Sequence, residues 1–467
     1  MEFLFLWTTI IASSYILLAM EPSSKGGAFK FAVVQLIGFM LLASGFAMAA
    51  RGYPYEPISN LYYGSADMAI PIYFIFAGFM VSVGAGGFHV WFRDVSSGSP
   101  RGVLAVLTGI ASKGGIFGIM LFALIAGGRF AGGNVYYILG WIGAITALFA
   151  TFSALFQREM KPSLGFMSLG ITGNILLGIS AMNQGGWVSA MFLSIAHLLI
   201  IAILFFASGK RYSDLQEKKG KFEKIAVSIA LLALAGIPPL SGYMGNLFLY
   251  EALIQKGWFI QTAFLFAASI CAVIFAFRYA TGLFACGDVE EIPANKQSRV
   301  FPQIAFALAI IALPVFHRQV ISALMYSVPV HFPQMLLNGY ADIPSIFFGT
   351  RMALVLALTP IALSIPLLML IAAKKEGRWT KIFGNILGVQ RESIANTPTG
   401  LEKFAKRIQM PYIELLWRKS FAGAYRGAVL LSRVYTGNGQ TYLIYIVLLV
   451  AVLYAIAGGF ACSGIFT

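Results

Sequence analysis

The stretch "RGVLAVLTGIASKGGIFGIMLFALIAGG", residues 101–128, has the length of a bilayer-crossing helix and is almost wholly apolar. About 20 apolar residues, rising about 1.5 Å each, span the hydrocarbon core. One lysine, Lys113, sits near the middle of the run. A charge at that depth costs about 2.5–3.5 kcal/mol on insertion scales, so its position asks for a structural or a functional reason. The whole chain has the same character. Of its 467 residues, 59% are hydrophobic and 11% are charged, against roughly 25% charged in a soluble domain. Too little polar surface remains to coat a core of this size. The expectation is an all-α, polytopic membrane protein.

Twelve apolar spans are expected, at roughly 3–20, 29–50, 67–88, 101–126, 134–156, 164–183, 187–208, 225–250, 258–284, 301–321, 350–373 and 440–463. The opening "MEFLFLWTTIIASSYILLAM" reads as the first span and not as a signal peptide, because it carries Glu2 and lacks a basic leader. Assigning the loops alternately to two sides separates the charges. Up to the seventh span one side holds Lys25, Lys30, Arg93, Arg101, Arg158, Lys161, Lys210, Arg211, Lys218, Lys219, Lys221 and Lys224; the other holds Arg51 and Arg129. The basic side is expected to be cytoplasmic, with both termini outside and the chain in the cytoplasmic (inner) cell membrane. The same bias accounts for the net charge of +15 without a nucleic-acid partner.

Three cysteines, Cys271, Cys286 and Cys462, form no CxxC pair, and no histidine cluster lies near them. No disulfide framework, metal centre or iron–sulfur site is expected. There is neither a GxGxxG nor a GxxxxGK[ST] pattern, so cofactors are expected to be none. Electron transfer, if it occurs, belongs to another chain.

Two spans are interrupted. The third ends "GAGGFHVWFRD", residues 84–94, with glycines ahead of His89; the eighth contains "AGIPPLSGYMGN", with Pro238 and Pro239 inside an apolar run. A double proline removes two helix hydrogen bonds and clashes with the preceding turn. Broken helices persist at membrane depth where protein or a water-filled cavity satisfies the freed backbone, and a matched pair of them points to an inverted-repeat transporter fold. Residues 374–439 differ: basic residues alternate with Leu, Ile, Phe and Trp. They read as a lateral amphipathic helix on the cytoplasmic side, on the order of 50 Å long if continuous, bent near Pro411 and able to strap neighbouring subunits. The expected organisation is a transmembrane domain over 1–373, the lateral segment over 374–439 and a last span over 440–467.

Four stretches in register resemble one family. "GGFHVWFRDVSSGSPRGVLAVLTGIASKGGIFG" is similar to its Pro-x-His-x-Trp-Leu-Pro-Asp-Ala loop and the lysine-bearing helix that follows. "LGFMSLGITGNILLGISAMNQGG" resembles its Ser-x-x-x-x-Gly-Tyr-x-Leu-Leu-Gly helix, and "AHLLIIAILFFASG" its His-Ala-Leu-Phe-Lys helix. "AGIPPLSGYMGNLFLY" resembles Ala-Gly-Ile-Pro-Pro-Leu-Ser-Gly-Phe-x-x-Lys, and "YTGNGQTYLIYIVLL" the last helix of its longer members. The family is that of the antiporter-like membrane subunits of respiratory complex I, energy-converting membrane-bound hydrogenases and their sulfur-reducing relatives, and Mrp-type cation/proton antiporters. The resemblance implies a proton relay of buried lysines, histidines and a glutamate. Carried over position by position, Lys113 and His197 are kept. Thr8, Ser82, Ile171, Ile201 and Asn246 stand where the family has titratable residues. The chain also begins at the family's fifth helix.

These replacements imply a mainly structural, non-catalytic membrane-arm subunit of a multisubunit oxidoreductase. Its expected partners are other membrane subunits, charge-retaining sister subunits among them, and lipids. A second expectation is an active subunit with a reduced ion path through His89, Lys113, His197 and Glu251; a third is a stand-alone cation/proton transporter. Among single residues, His89 reads as a hydrogen-bonded loop clamp or a proton gate. Glu251 reads as solvated near a helix end or paired with Lys256, and Arg93 and Asp94 as a solvated loop. Trp7, Trp91, Tyr136 and Trp258 read as an interfacial belt.

Overall fold

The computed structural model describes residues 2–49, 69–126, 135–157, 159–208, 220–284, 294–316 and 319–320. All lie in the first of two compact units, Met1–Gln409. The expected spans at 350–373 and 440–463, the lateral segment at 374–439 and the domain boundaries drawn there fall outside the described residues.

Every regular element among the described residues is helical: α1 Glu2–Ala19, α2 Lys25–Ala49, α3 Ala69–Val83, α4 Phe92–Gly98, α5 Arg101–Val106, α6 Ser112–Ala126, α7 Val135–Leu155, α8 Met160–Ser180, α9 Gln184–Ala207, α10 Lys221–Leu234, α11 Ser241–Lys256, α12 Phe259–Phe284 and α13 Ala294–Val315. A turn of π-helix, Leu107–Ala111, joins α5 to α6. Among the described residues, six helical stretches are long and apolar enough to cross a membrane: Pro22–Ala49, Arg101–Ala123, Val135–Leu155, Met160–Ser180, Gly185–Ala207 and Phe259–Ala280.

Both expected breaks are present. α3 stops at Val83 because Gly84, Gly86 and Gly87 take positive φ, a region open to glycine and closed to most side chains. The chain then turns through His89 into the short α4. The second break separates α10 from α11 at Gly236 (φ +70°), Pro238 and Pro239. Its freed groups are bonded locally: Gly236 N donates to Ala233 O at 3.1 Å and Ile237 N to Leu232 O at 3.0 Å. At the first break Gly86 N donates to Thr146 Oγ1 at 3.2 Å, and Gln35 Nε2 to Ser82 O at 3.0 Å. The π-turn is a third irregularity that sequence reasoning missed. There Thr108 Oγ1 donates to Leu104 O at 2.7 Å and Ser112 Oγ to Thr108 O at 2.6 Å. Such hydroxyl back-bonding competes with the α-helical ladder.

Without a hydrophobic drive between helices in lipid, close approach depends on small residues. α7 and α8 meet through Gly143 and Gly173, and a Cβ on Gly173 would lie 2.5 Å from Ala147 N and 2.7 Å from Gly143 O. Four aromatic rings, Trp7, Phe46, Phe79 and Phe122, then lock α1, α2, α3 and α6 together, with Trp7 and Phe79 5.3 Å apart between centroids.

Several sequence expectations change here. Trp7, Trp91 and Tyr136 are buried and form no interfacial belt. The first break turns Trp91 inward against Phe31, 4.9 Å between centroids, and Tyr136 Oη donates to Ala123 O at 3.4 Å. Trp258 stays half-buried, against Tyr137 and beneath the Lys256 ammonium. Asp94 is not a free loop carboxylate, because α4 folds against α2 and places it in an ion pair with Lys30. Both side chains are over a third exposed, so the pair contributes at most about 1 kcal/mol. Arg93 is exposed, as expected.

The glycine contact makes the first prediction. Gly173→Ala is expected to cost about 1–3 kcal/mol of overpacking, seen as a lower thermal midpoint in detergent. Gly102→Ala, where a Cβ meets nothing within 4 Å, is expected to be neutral or slightly stabilising.

Candidate functional site: a buried lysine–histidine pair

Lys113 opens α6 directly after the π-turn, and that turn packs against α9. A Cβ on Gly109 would stand 3.7 Å from Ile201 and 3.8 Å from Leu198. One turn along α9 from Ile201 is His197, fully buried. Lys113 Nζ lies 2.5 Å from His197 Nδ1, and His197 Nε2 lies 2.8 Å from Ser168 Oγ on α8. Three helices therefore meet at a continuous hydrogen-bonded row of ammonium, imidazole and hydroxyl.

The chemistry of the groups orders the row. A charged ammonium only donates, so Nδ1 must then accept, and Nε2 carries the proton that it donates to Ser168. If instead the imidazole is charged, both its nitrogens donate and the amine must accept. Two positive charges in contact would repel strongly at low dielectric, so the pair carries at most one. Lys113 has no carboxylate against it among the described residues, and its side-chain hydrogen bond is to His197. The arrangement can hold one excess proton on either partner and exchange it along the row.

His197 also borders a small cavity bounded by α8, α9, α12 and the α10–α11 break. Ile171, Asn174, Asn246, Ser269 and Thr151 line it with His197, which alone among the described lining residues is titratable at this depth. Asn174 Oδ1 and Asn246 Oδ1 are buried and have no protein partner among the described residues. Ile171 is part of this wall. Ile201 is not: it is wholly buried and packs toward the π-turn.

The other expected site residues lie apart. Glu251 is buried, accepting from Gln255 Nε2 at 2.8 Å, and does not line the cavity. It is neither solvated nor paired with Lys256, whose ammonium lies over the Trp258 ring at 5.9 Å. The cause is the break: the helix restarts at Ser241 and runs on to Lys256, so Glu251 sits inside it. His89 is held between the Phe149 and Phe166 rings, at 5.5 and 5.9 Å between centroids. Its Nδ1 is buried without a partner among the described residues, so no side-chain hydrogen bond through that atom clamps the loop. Thr8 Oγ1 bonds its own helix, donating to Phe5 O at 2.7 Å. Ser82 is buried with its hydroxyl unpartnered among the described residues. Sequence reasoning missed Ser168 and Asn174. Ser168 is the first residue of the α8 motif, and that was its only signal.

Residues 1–272 match the family described as NADH:quinone oxidoreductase/Mrp antiporter, transmembrane. The chain belongs to that family. The NAD(P)H-quinone oxidoreductase subunit 2 of Gloeothece citriformis is 28% identical over 224 residues, 46% of this chain and 43% of the relative. The chain thus spans under half the length of that curated relative. In fold, the chain is similar to a subunit of the Mrp complex from Dietzia, with a TM-score of 0.61 at 17% identity over 74% of both chains. It is similar also to a subunit of the archaeal membrane-bound sulfane sulfur reductase, with a TM-score of 0.62 at 18% identity over 73% of this chain and 72% of that one. In this multi-pass member of the family, Lys113 and His197 are in direct contact.

Ser168 tests the row. Ser168→Ala leaves imidazole Nε2 without its partner, at an expected cost of about 1–3 kcal/mol. Ser194→Ala on α9, whose hydroxyl bonds only Ala190 O of its own helix, is expected to cost less. Thermal denaturation of the two variants side by side checks the difference.

Proposed function

We propose that this chain is a membrane-arm subunit of a multisubunit energy-converting complex, and that it takes part in moving protons through a shortened relay centred on Lys113 and His197. The observation carrying this is the direct Lys113–His197 hydrogen bond, continued to Ser168. An ionisable pair is costly to keep in a bilayer and marks a proton path by default. Both imidazole nitrogens are engaged, by Lys113 and Ser168, so a proton enters and leaves the row through those two groups and travels on water beyond them. The carboxamides of Asn174 and Asn246 near His197 cannot titrate. Glu251 and His89 are no part of this path. The partners are other membrane subunits, with sister subunits that keep a fuller set of charges, and lipid. The basic loops face the cytoplasm, both termini lie outside, and 374–439 forms a cytoplasmic strap ahead of a last span.

A scaffold role is the second reading. It is favoured by the lack of a second titratable side chain among the described residues lining the cavity. In that case the pair is a packed remnant, and ion movement belongs to the sister subunits. A stand-alone transporter has nothing for such a strap to hold.

The test is Lys113→Met in the native complex, with assembly confirmed and ion uptake by inverted vesicles followed during turnover. The expected outcome is a lower ion yield per electron in a fully assembled complex. Unchanged yield and turnover would establish the scaffold role. Glu251→Gln is expected to leave the yield at the wild-type level, since Glu251 does not line the path.

A further inference from the structure

A second, small cavity lies between α1, α2, the first break and the π-turn. Three residues of its wall carry a buried polar atom with no protein partner among the described residues: Trp7 Nε1, Ser82 Oγ and Trp91 Nε1. Buried indole N–H groups normally find an acceptor, and native proteins leave few such atoms unmatched. Here three residues from distant parts of the sequence, each with such an atom, line one space.

Their chemistry restricts the occupant. An indole N–H donates and cannot accept, so the occupant must offer an acceptor. The lining holds no charged side chain, so it provides nothing to neutralise an ion. Both indoles are fixed by rings: Trp7 stacks on Phe3 at 5.9 Å and meets Phe79 edge-on, while Trp91 packs on Phe31 and Phe92. The donors are therefore preorganised. Ile10 belongs both to the wall and to the exposed face of α1, with Phe5, Leu6 and Ile16. In a bilayer that apolar face meets hydrocarbon, and the cavity is reached from the lipid side.

We propose that this cavity binds a neutral, lipid-soluble molecule through a carbonyl oxygen that accepts from Trp7 and Trp91. The apolar part of the molecule lies against Ile10 and the aromatic walls. Two sources share this chemistry, the ester carbonyl of a membrane glycerolipid and the ring carbonyl of a quinone. The site is separate from the Lys113–His197 row and does not depend on that row conducting protons.

The test uses the assembled complex in native membranes and two photoreactive probes, a diazirine-bearing phosphatidylglycerol and a diazirine-bearing naphthoquinone. Labelled peptides are mapped by mass spectrometry, with and without excess unlabelled probe. Saturable labelling within residues 7–14 or 82–92 by one probe is expected, and the probe that labels identifies the source. Trp7→Phe with Trp91→Phe keeps both rings, removes both donors, and is expected to cut that saturable labelling several-fold. Diffuse labelling of the outer α1 face stays unchanged. If neither probe labels saturably, or the double variant labels as the wild type does, the proposal is wrong and the cavity holds water only. Should the double variant fail to assemble, competition on the wild-type complex decides alone: labelling that excess unlabelled probe does not reduce overturns the proposal.

Discussion

Inside a bilayer no bulk water reaches a backbone amide, so each departure from the α-helix has to be answered by the protein itself. This chain departs three times among its described residues, and each departure has its own answer. The glycine break after Val83 is bridged by Thr146 and Gln35. The proline break after Leu234 closes on its own carbonyls. The π-turn is held by two hydroxyls of the same helix. These irregular points also border the functional features. Lys113 follows the π-turn, the cavity beside His197 opens on the proline break, and the second cavity is walled by the glycine break.

Charge obeys the same economy. Lys113 is held by an imidazole and not by a carboxylate, which leaves room for at most one positive charge over the two groups in the middle of the fold. Elsewhere the ionisable groups are drawn into structural contacts. The Arg278 guanidinium donates to Leu155 O and Gln157 O at the end of α7. Lys161 donates to Ser99 O at 2.9 Å, and Lys30 meets Asp94 beside the first break. These groups cover helix ends, and the Lys113–His197 pair stands apart from them in covering none.

How much of this was legible depended on whether the cause was local. Gly84 to Gly87 and Pro238–Pro239 act on their own backbone, so both breaks were readable from the sequence. The π-turn was not, because "LTGIA" is an ordinary apolar run and its cause lies in hydroxyls bonding one turn back and in packing on α9. Lys113 and His197 stood out as two family positions, but nothing in the sequence across their separation of 84 residues announces that they touch. Ser168 was hidden among chemically equal serines on the same helices. Trp7 and Trp91 were misread because a tryptophan near a span end normally seeks the interface, and the inward turn at the glycine break reverses that. Glu251 was misplaced because a helix that restarts after two prolines runs further than one that does not.

α8, which carries Ser168, has a consequence for how the protein is made. Its span, Met160–Ser180, is 94% buried and the least apolar of the six candidate crossing helices. Gly165, Gly170, Gly173 and Gly178 leave it almost no greasy outer surface of its own. Such a segment has little to gain from partitioning alone out of the translocon. Its insertion is expected to depend on α7 before it and α9 after it, the helices that pack around it. The order of synthesis then bears on the fold, because the Ser168 hydroxyl is enclosed only when these helices come together.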